Sequence, residues 1–406
     1  MLALCRGQCR GSANATSMSL ALTVAGVSPR IVLRPKNIDE LVAVVREAYA
    51  RDAAFAFVGG GTELELGNAP RALDTVVRTT HLANVVEYAP EDQTITVQAG
   101  MTIAAIAEVL REHRQVLAID VADPERATIG GAIATASDGR RRGRYGSIKD
   151  NIVGITIVRP DGTLAHGGGK VVKNVAGFDV PKLMVGALGT LGAIVVATLR
   201  VHPADTAHAA VRIVAISARE VFAITEAVVG AALVPETIAA YANGASYDLV
   251  VSFAGFERGV EEQVTATERL VRALGPLPER IGDAEQYRYA EAERETRRAA
   301  WCVKLGASPS VLADVLAREE SFAPLQRVWY PLVGSAIIGA PSLDPAHITA
   351  WRDRCATAVV TAMPLAARVS LEAWGTPPPS FPIMRRLKAN FDPKGLCNPG
   401  RFIGGL

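Results

Sequence analysis

Three short stretches of this chain combine bare backbone with groups that hold anions or flat polar rings. The first is Val58-Gly59-Gly60-Gly61-Thr62-Glu63-Leu64, a glycine triplet directly after an apolar run. Successive glycine N–H groups can turn into one concavity and hold a diphosphate, although a plain tight turn uses the same residues. The second runs from Pro124 to Gly146 and places Thr128 beside Gly130 and Gly131. A helix starting there would offer its N-terminus to an anion, or the small residues would simply let that helix pack closely. The third joins the triplet Gly167–Gly169 to Lys173, Asn174 and the small-residue run Gly186–Gly192. A Lys or an amide at 173–174 can hydrogen-bond a ring carbonyl, or lie on a surface turn. None of the three is a GxGxxG dinucleotide fingerprint or a Gly-Lys-Ser/Thr phosphate loop.

The elements that must position these stretches can be read from periodicity. Residues 38–50 (IDELVAVVREAYA) have apolar residues at helical spacing, with Asn37 or Asp39 as the cap. AFAFV before the first triplet is a short buried strand, and strands are expected around Val76-Val77 and in QTITVQAG. Met101–Arg114 is a second amphipathic helix that Thr102 can cap, and TIGGAIATA is a tightly packed helix. NIVGITIVRPDGTLAHGGG reads as a hairpin about a Pro-Asp-Gly turn, and ALGTLGAIVVATLRVHP ends in a strand at Pro203. Beyond Ala204 the glycines thin out, and strands (VRIVAI, DLVVSFAG) alternate with helices, the pattern of an α+β domain with an antiparallel sheet. PPPS at 377–380 marks a stiff hinge before a short helix and a turn-rich tail.

Composition narrows the function. A net charge of +2 over 406 residues creates no strong positive field, which argues against nucleic acid as a partner. The one dense basic run, Arg140, Arg141, Arg142 and Arg144, is either a solvated loop or a phosphate or partner contact. Five scattered cysteines (5, 9, 302, 355 and 397) fit no disulfide framework or iron–sulfur spacing and suit a reducing compartment. No apolar run reaches the ~20 residues that span a bilayer. The six histidines form no ligand motif, so no metal is expected.

In this order, the three glycine elements resemble the FAD-binding domain of the vanillyl-alcohol oxidase type, also called the PCMH type, over about residues 30–203. Within that type, GGGKVVKNVAGFD…LMVGALGTLGAI resembles the FAD-binding E-type subunit of bacterial glycolate oxidase. FDPKGLCNPGRF resembles the tail of the FAD-linked glycolate oxidase and D-lactate dehydrogenase group, and WCVKLGASP is similar to a strand entering the second domain of such subunits.

The N-terminal residues, 1–28, read as a poorly ordered leader or an overlong translation start. The resemblance implies an α+β chain with a two-subdomain FAD-binding domain (29–203), an antiparallel-sheet cap domain (204–376) and a tail (377–406) that packs back on the FAD domain. It implies that Val58, Gly59, Gly60, Gly61, Thr62, Glu63 and Leu64 form the diphosphate loop. Thr128, Gly130 and Gly131 would run along the diphosphate and flavin, with Tyr145 and Gly146 nearby and Ile194 on the adenine side. Thr62 stands where many relatives carry the His that bonds flavin covalently, so the implied FAD is non-covalent. Val58 stands where relatives often have Arg, a departure that bears on affinity.

Lys173, Asn174, Lys304 and Asn398 are the implied residues facing the flavin. The implied activity is oxidation of a 2-hydroxy acid such as glycolate or D-lactate, shared with a second flavoprotein subunit and an iron–sulfur subunit. The implied location is the cytoplasm, with peripheral contact to the inner membrane through those partners. Two other roles stay open: a self-sufficient flavin oxidase or dehydrogenase, and a non-catalytic binding or assembly subunit.

Overall fold

The computed structural model describes residues 22–169, 178–319 and 325–406. In the first domain a three-stranded parallel sheet forms from Ile31–Leu33, Phe55–Val58 and Thr75–Arg78, with Thr75–Arg78 in the centre. Helix Ile38–Ala50 connects the first two strands. Asn37 caps it by accepting the Glu40 N–H at 2.8 Å, and Leu41, Val45 and Ala48 form the stripe buried against the sheet.

A five-stranded antiparallel sheet follows in the order Val85–Ala89, Thr94–Gln98, Ala193–Arg200, Ile152–Val158, Leu164–Gly168. Its hairpin turns at Gly162, whose φ of +78° lies in the left-handed region. Val85–Ala89 was not foreseen from the sequence. It is a largely exposed edge strand and lacks the apolar alternation that marks a half-buried one. Helices Ile103–Arg111 and Ile129–Thr135 press Ile106, Leu110, Ile129 and Ile133 against Ile95, Val97 and Leu199. Each such buried side chain contributes about 1.5–3 kcal/mol relative to exposure.

The second domain is an eight-stranded antiparallel sheet. Its order is Pro278–Ile281, Ala207–Ile216, Ser246–Gly255, Thr237–Asn243, Gln326–Tyr330, Ser335–Ala340, Trp301–Gly306, Thr357–Ala362. Helices Ala218–Gly230, Glu257–Ala273, Pro309–Glu319 and Pro345–Arg354 cover one face. Helix Asp283–Arg297 lies on the other, which also meets the first domain. The period of two within Trp301–Gly306 divides the strand: Trp301, Val303 and Leu305 enter the helix-covered core, while Cys302 and Lys304 face the first domain.

Helix Phe381–Phe391 leads the tail back to the parallel sheet, where Cys397 forms a parallel bridge with Phe55. Phe55 donates to the Leu396 carbonyl at 2.9 Å, and Asn398 donates to the Phe55 carbonyl at 2.7 Å. Lys388 anchors the turn: its Nζ donates to the carbonyls of Thr190 and Cys397 and to the Asp392 carboxylate, at 2.6–2.8 Å.

The basic run 140–144 is neither a solvated loop nor a ligand site. Arg141 pairs with Asp120, Arg142 pairs with Asp138, and Arg144 reaches Asp205 and the Ala254 carbonyl of the second domain. Arg140 lies among Tyr241, Asp120, Glu293 and Tyr330. Arg140 and Arg144 thus reach the second domain, while Arg141 and Arg142 pair within the first. Among the described residues no helix is long and apolar enough to cross a membrane.

Candidate functional site

A cleft opens where the strand Phe55–Val58 breaks into its glycine loop. The loop forms one wall, the segment 127–137 a second, and the turn 188–194 with the tail residues Asn398 and Arg401 a third. The loop needs glycine for packing as well as shape. A Cβ on Gly59 would fall 2.1 Å from Thr128 Oγ1, and one on Gly60 would fall 1.7 Å from the Arg126 carbonyl oxygen. Gly61 has φ +73°. The first two glycine elements are thus pressed together, and the cleft lies along their seam.

Val58, Gly59, Gly60, Gly61, Thr62, Glu63 and Leu64 all line the cleft, as do Thr128, Gly130, Gly131, Ile194 and Asn398. Thr128 caps helix Ile129–Thr135 by accepting the Gly131 N–H at 3.2 Å. Gly130 is pressed against Ala99, where its Cβ would clash, whereas a Cβ on Gly131 would meet only Thr128 Oγ1. Close packing and open backbone therefore both apply, each to a different glycine. Residues 22–28, grouped with the leader on sequence, are part of the site's support. Val24 lines the cleft, and Ala25 donates to the Leu64 carbonyl at 3.0 Å.

Tyr145 and Gly146 do not line the cleft. Tyr145 donates to Asp205 at 3.0 Å and its ring lies beside His202, so it holds the exit to the second domain. Lys304 lies outside the cleft as well, ion-paired with Asp138. Lys173 and Asn174 fall outside the described residues.

Two features fit a bound FAD. Asn398 is buried; its amide N–H donates to the Leu188 carbonyl at 2.5 Å, while its Oδ1 has no partner. A buried acceptor of this kind matches an N–H of a heteroaromatic ring system. Arg401, which the sequence reading did not single out, donates to the Leu64 and Leu66 carbonyls and leaves its Nε unpartnered. Burial, then the neighbouring Arg368, push its guanidinium down to about 10, so it stays charged at neutral pH beside the anion loop. It was visible as the last residue of FDPKGLCNPGR, but only the fold turns it toward the loop.

A second cavity shares Gly61, Thr62 and Glu63 with the cleft and continues to the inner face of the eight-stranded sheet. Arg126, Arg297, Arg298 and Lys304 line it, with Asp123 and Glu63 as its carboxylates. Arg297 bonds to Glu293 at 3.1 Å and to the Asp138 carbonyl at 3.2 Å. Glu63 lines both cavities, and its carboxylate feels the positive charge of Arg297 and Lys304. Burial raises its carboxyl above the usual range, against the opposing pull of those two cations. Burial also raises the Cys302 thiol, which therefore stays protonated and unreactive. Among the described residues no cluster of His, Cys, Asp and Glu is placed to hold a metal ion.

A family profile described as an FAD binding domain matches residues 29–168. A D-2-hydroxyglutarate dehydrogenase of Xanthomonas citri pv. viticola is 36% identical over 173 residues, which are 43% of this chain and 37% of that protein. The glycolate oxidase subunit GlcD of Bacillus subtilis is 30% identical over 175 residues, 43% of this chain and 37% of that subunit. The chain's match thus spans little more than a third of the length of these relatives. A solved alkyldihydroxyacetonephosphate synthase superposes with a TM-score of 0.69 at 16% identity, covering 91% of this chain and 77% of that one. At that identity the likeness is one of fold. Residues 29–168 are an FAD-binding domain of PCMH type, set in an α+β architecture that the synthase shares.

Proposed function

We propose, with the FAD-binding domain of residues 29–168 as the premise, that the chain is a flavin-dependent oxidoreductase subunit acting on a 2-hydroxy acid such as glycolate or D-lactate. The observation that carries the reading is the cleft walled by all three glycine elements, with the unpartnered Asn398 Oδ1 inside it. The names of the relatives support the substrate class, since a 2-hydroxyglutarate dehydrogenase and a glycolate oxidase subunit both act on such acids. The cavity beside the cleft, lined by four cations, suits a small carboxylate.

Bound FAD supplies a two-electron hydride acceptor. The chain's own residues would hold it: the loop 59–62 would offer N–H groups to the diphosphate, Arg401 would add positive charge behind that loop, and the unpartnered Asn398 Oδ1 would accept from a ring N–H. By the resemblance, Thr62 stands where covalently flavinylated relatives carry His, and no Cys occurs between Pro124 and Gly146, so the cofactor is held without covalent attachment. The tail contributes Asn398 and Arg401 to the wall formed with the turn 188–194. By resemblance to the E-type glycolate oxidase subunit, the chain works beside a second flavoprotein subunit and an iron–sulfur subunit, at the cytoplasmic side of the membrane.

The test is the visible spectrum of the purified chain, before and after anaerobic addition of glycolate or D-lactate. The proposal expects a non-covalent flavin spectrum that bleaches with substrate when the partner subunits are present. A chain that stays colourless after added FAD refutes it. Bleaching by the isolated chain would instead make it a self-sufficient dehydrogenase.

A further inference from the structure

We propose that the basic cavity between the glycine loop and the eight-stranded sheet is the hydroxy-acid site, with Arg298 holding the carboxylate and Glu63 receiving the hydroxyl proton. The inference rests on the flavin reading above and adds to it the location of the substrate and the residues that act on it.

The cavity's charges are mostly committed elsewhere. Lys304 is paired with Asp138, Arg297 with Glu293, and Arg126 lies 3.6 Å from Asp123. Two groups are left. Among the described residues the Arg298 guanidinium and the Glu63 carboxylate each line the cavity without a hydrogen-bond or ion-pair partner, and they do not pair with one another. A 2-hydroxy acid presents the complement of that arrangement: a carboxylate for the guanidinium fork and, one carbon away, a hydroxyl for the carboxylate.

The placement relative to the flavin cleft is equally specific. Gly61, Thr62 and Glu63 line both cavities, so Glu63 stands at the boundary between the space for substrate and the space for cofactor. It is the one titratable residue of the three. The floor is made by Cys302, Ile337 and Thr361, all on the inner face of the sheet, and by the protonated Cys302 thiol in particular. A floor of short side chains closes off the cavity behind a small substituent.

In the oxidation, the hydroxyl proton passes to Glu63. The carbinol hydrogen would leave carbon with its electron pair for the two-electron acceptor that a bound flavin would supply, and the carbinol would become a carbonyl group. A carboxyl that burial has raised toward neutrality is a stronger base than a free Glu. Burial raises the carboxyl and the positive charge of Arg297 and Lys304 opposes that rise, while Arg126, Arg298 and Asp123 line the same cavity.

The test compares Glu63→Gln and Arg298→Gln in the full chain, assembled with its partner subunits, after flavin absorbance has confirmed equal loading. Glu63→Gln should keep the KM for glycolate within a few-fold while kcat falls about 10²-fold or more, and it should remove the acidic limb of the pH profile. Arg298→Gln should weaken propionate, which has the carboxylate and no hydroxyl, by about tenfold in calorimetry, a measurement that needs no turnover. Arg298 is exposed at a helix end, so its variant tests binding without threatening the fold. Unchanged kcat in flavin-loaded Glu63→Gln, or unchanged propionate binding in Arg298→Gln, overturns the assignment. Absence of flavin from the parent defeats the cofactor reading instead, and propionate calorimetry still decides the cavity.

Discussion

One methyl group added at two neighbouring glycines should have opposite consequences. At Gly60 the new Cβ would stand 1.7 Å from the Arg126 carbonyl oxygen, with Arg126 C at 2.6 Å. Both obstacles are backbone, so no side chain can rotate away. Ordinary contact begins near 3.4 Å, which requires the loop and the segment 126–128 to separate by about 1.7 Å. Overpacking of this kind costs about 1–3 kcal/mol, and a backbone obstacle puts Gly60→Ala at the upper end. For a domain of this size that is a fall in Tm of about 6–12 °C.

At Gly131 the new Cβ would meet only Thr128 Oγ1, at 3.2 Å. The residue is helical, where Ala gains about 0.5–1 kcal/mol over Gly, so Gly131→Ala should leave Tm within about 2 °C of the parent. Its methyl enters the cleft, and flavin should bind about tenfold more weakly. Calorimetric melting of the flavin-free chain, together with a flavin fluorescence titration, measures both quantities. A Gly60→Ala chain that melts like the parent would refute the claim that the loop's glycines serve packing. Gly60→Asp is for the same reason a poor probe of the diphosphate, since it fails first on sterics.

Three further outcomes are expected. Lys388→Met leaves the Asp392 carboxylate buried without its cation and should destabilise the chain by about 3–5 kcal/mol in denaturant unfolding, with Asp392→Asn in the same chain recovering part of the loss. Arg144→Ala removes two charge-assisted hydrogen bonds, to Asp205 and Ala254, a loss of about 1.5–3 kcal/mol from the domain contact. It should separate a single calorimetric transition into two, and an unchanged transition would count against the clamp. Burial raises the Asp120 carboxyl, but Arg141 and its hydrogen bonds outweigh that and hold it below the usual carboxylate range. Its folded value thus lies below its unfolded one, so its stabilisation is present at neutral pH and is lost as the pH falls through the folded value. Arg141→Gln should flatten that acid limb of the stability profile, as followed by tryptophan fluorescence.

Legibility tracked how local the cause of each feature is. Asn37 and Thr102 announce their helices because a cap acts within four residues, and the Pro160-Asp161-Gly162 turn fixes its hairpin the same way. The first two glycine elements were readable as a ligand-binding surface, yet Gly59, Gly60 and Gly130 prove to be packing positions, a distinction only the partner segment reveals. The second cavity could not be read at all. Glu63 comes from a loop more than 200 residues before Arg298 at a helix end and Lys304 on the next strand, and no spacing rule joins it to them. Lys304 was picked out for its strand, and the alternation with Cys302 does put it on the inner face, but its charge is spent on Asp138. The resemblance implied Tyr145 near the flavin, whereas its hydroxyl donates to Asp205 at the linker.

The returning tail sets a timetable for this protein. Asn398 and Arg401 complete the third wall of the cleft, and Cys397 lies beside Phe55 as though it were a further strand of the parallel sheet. A ribosome releases those residues only after the whole eight-stranded domain has been synthesised. The first domain therefore emerges with an unfinished site, and tight flavin capture must wait for the second domain to fold and hand the tail across. Cofactor loading becomes a proofreading step for the complete chain: a protein truncated or misfolded anywhere in between cannot close its cleft.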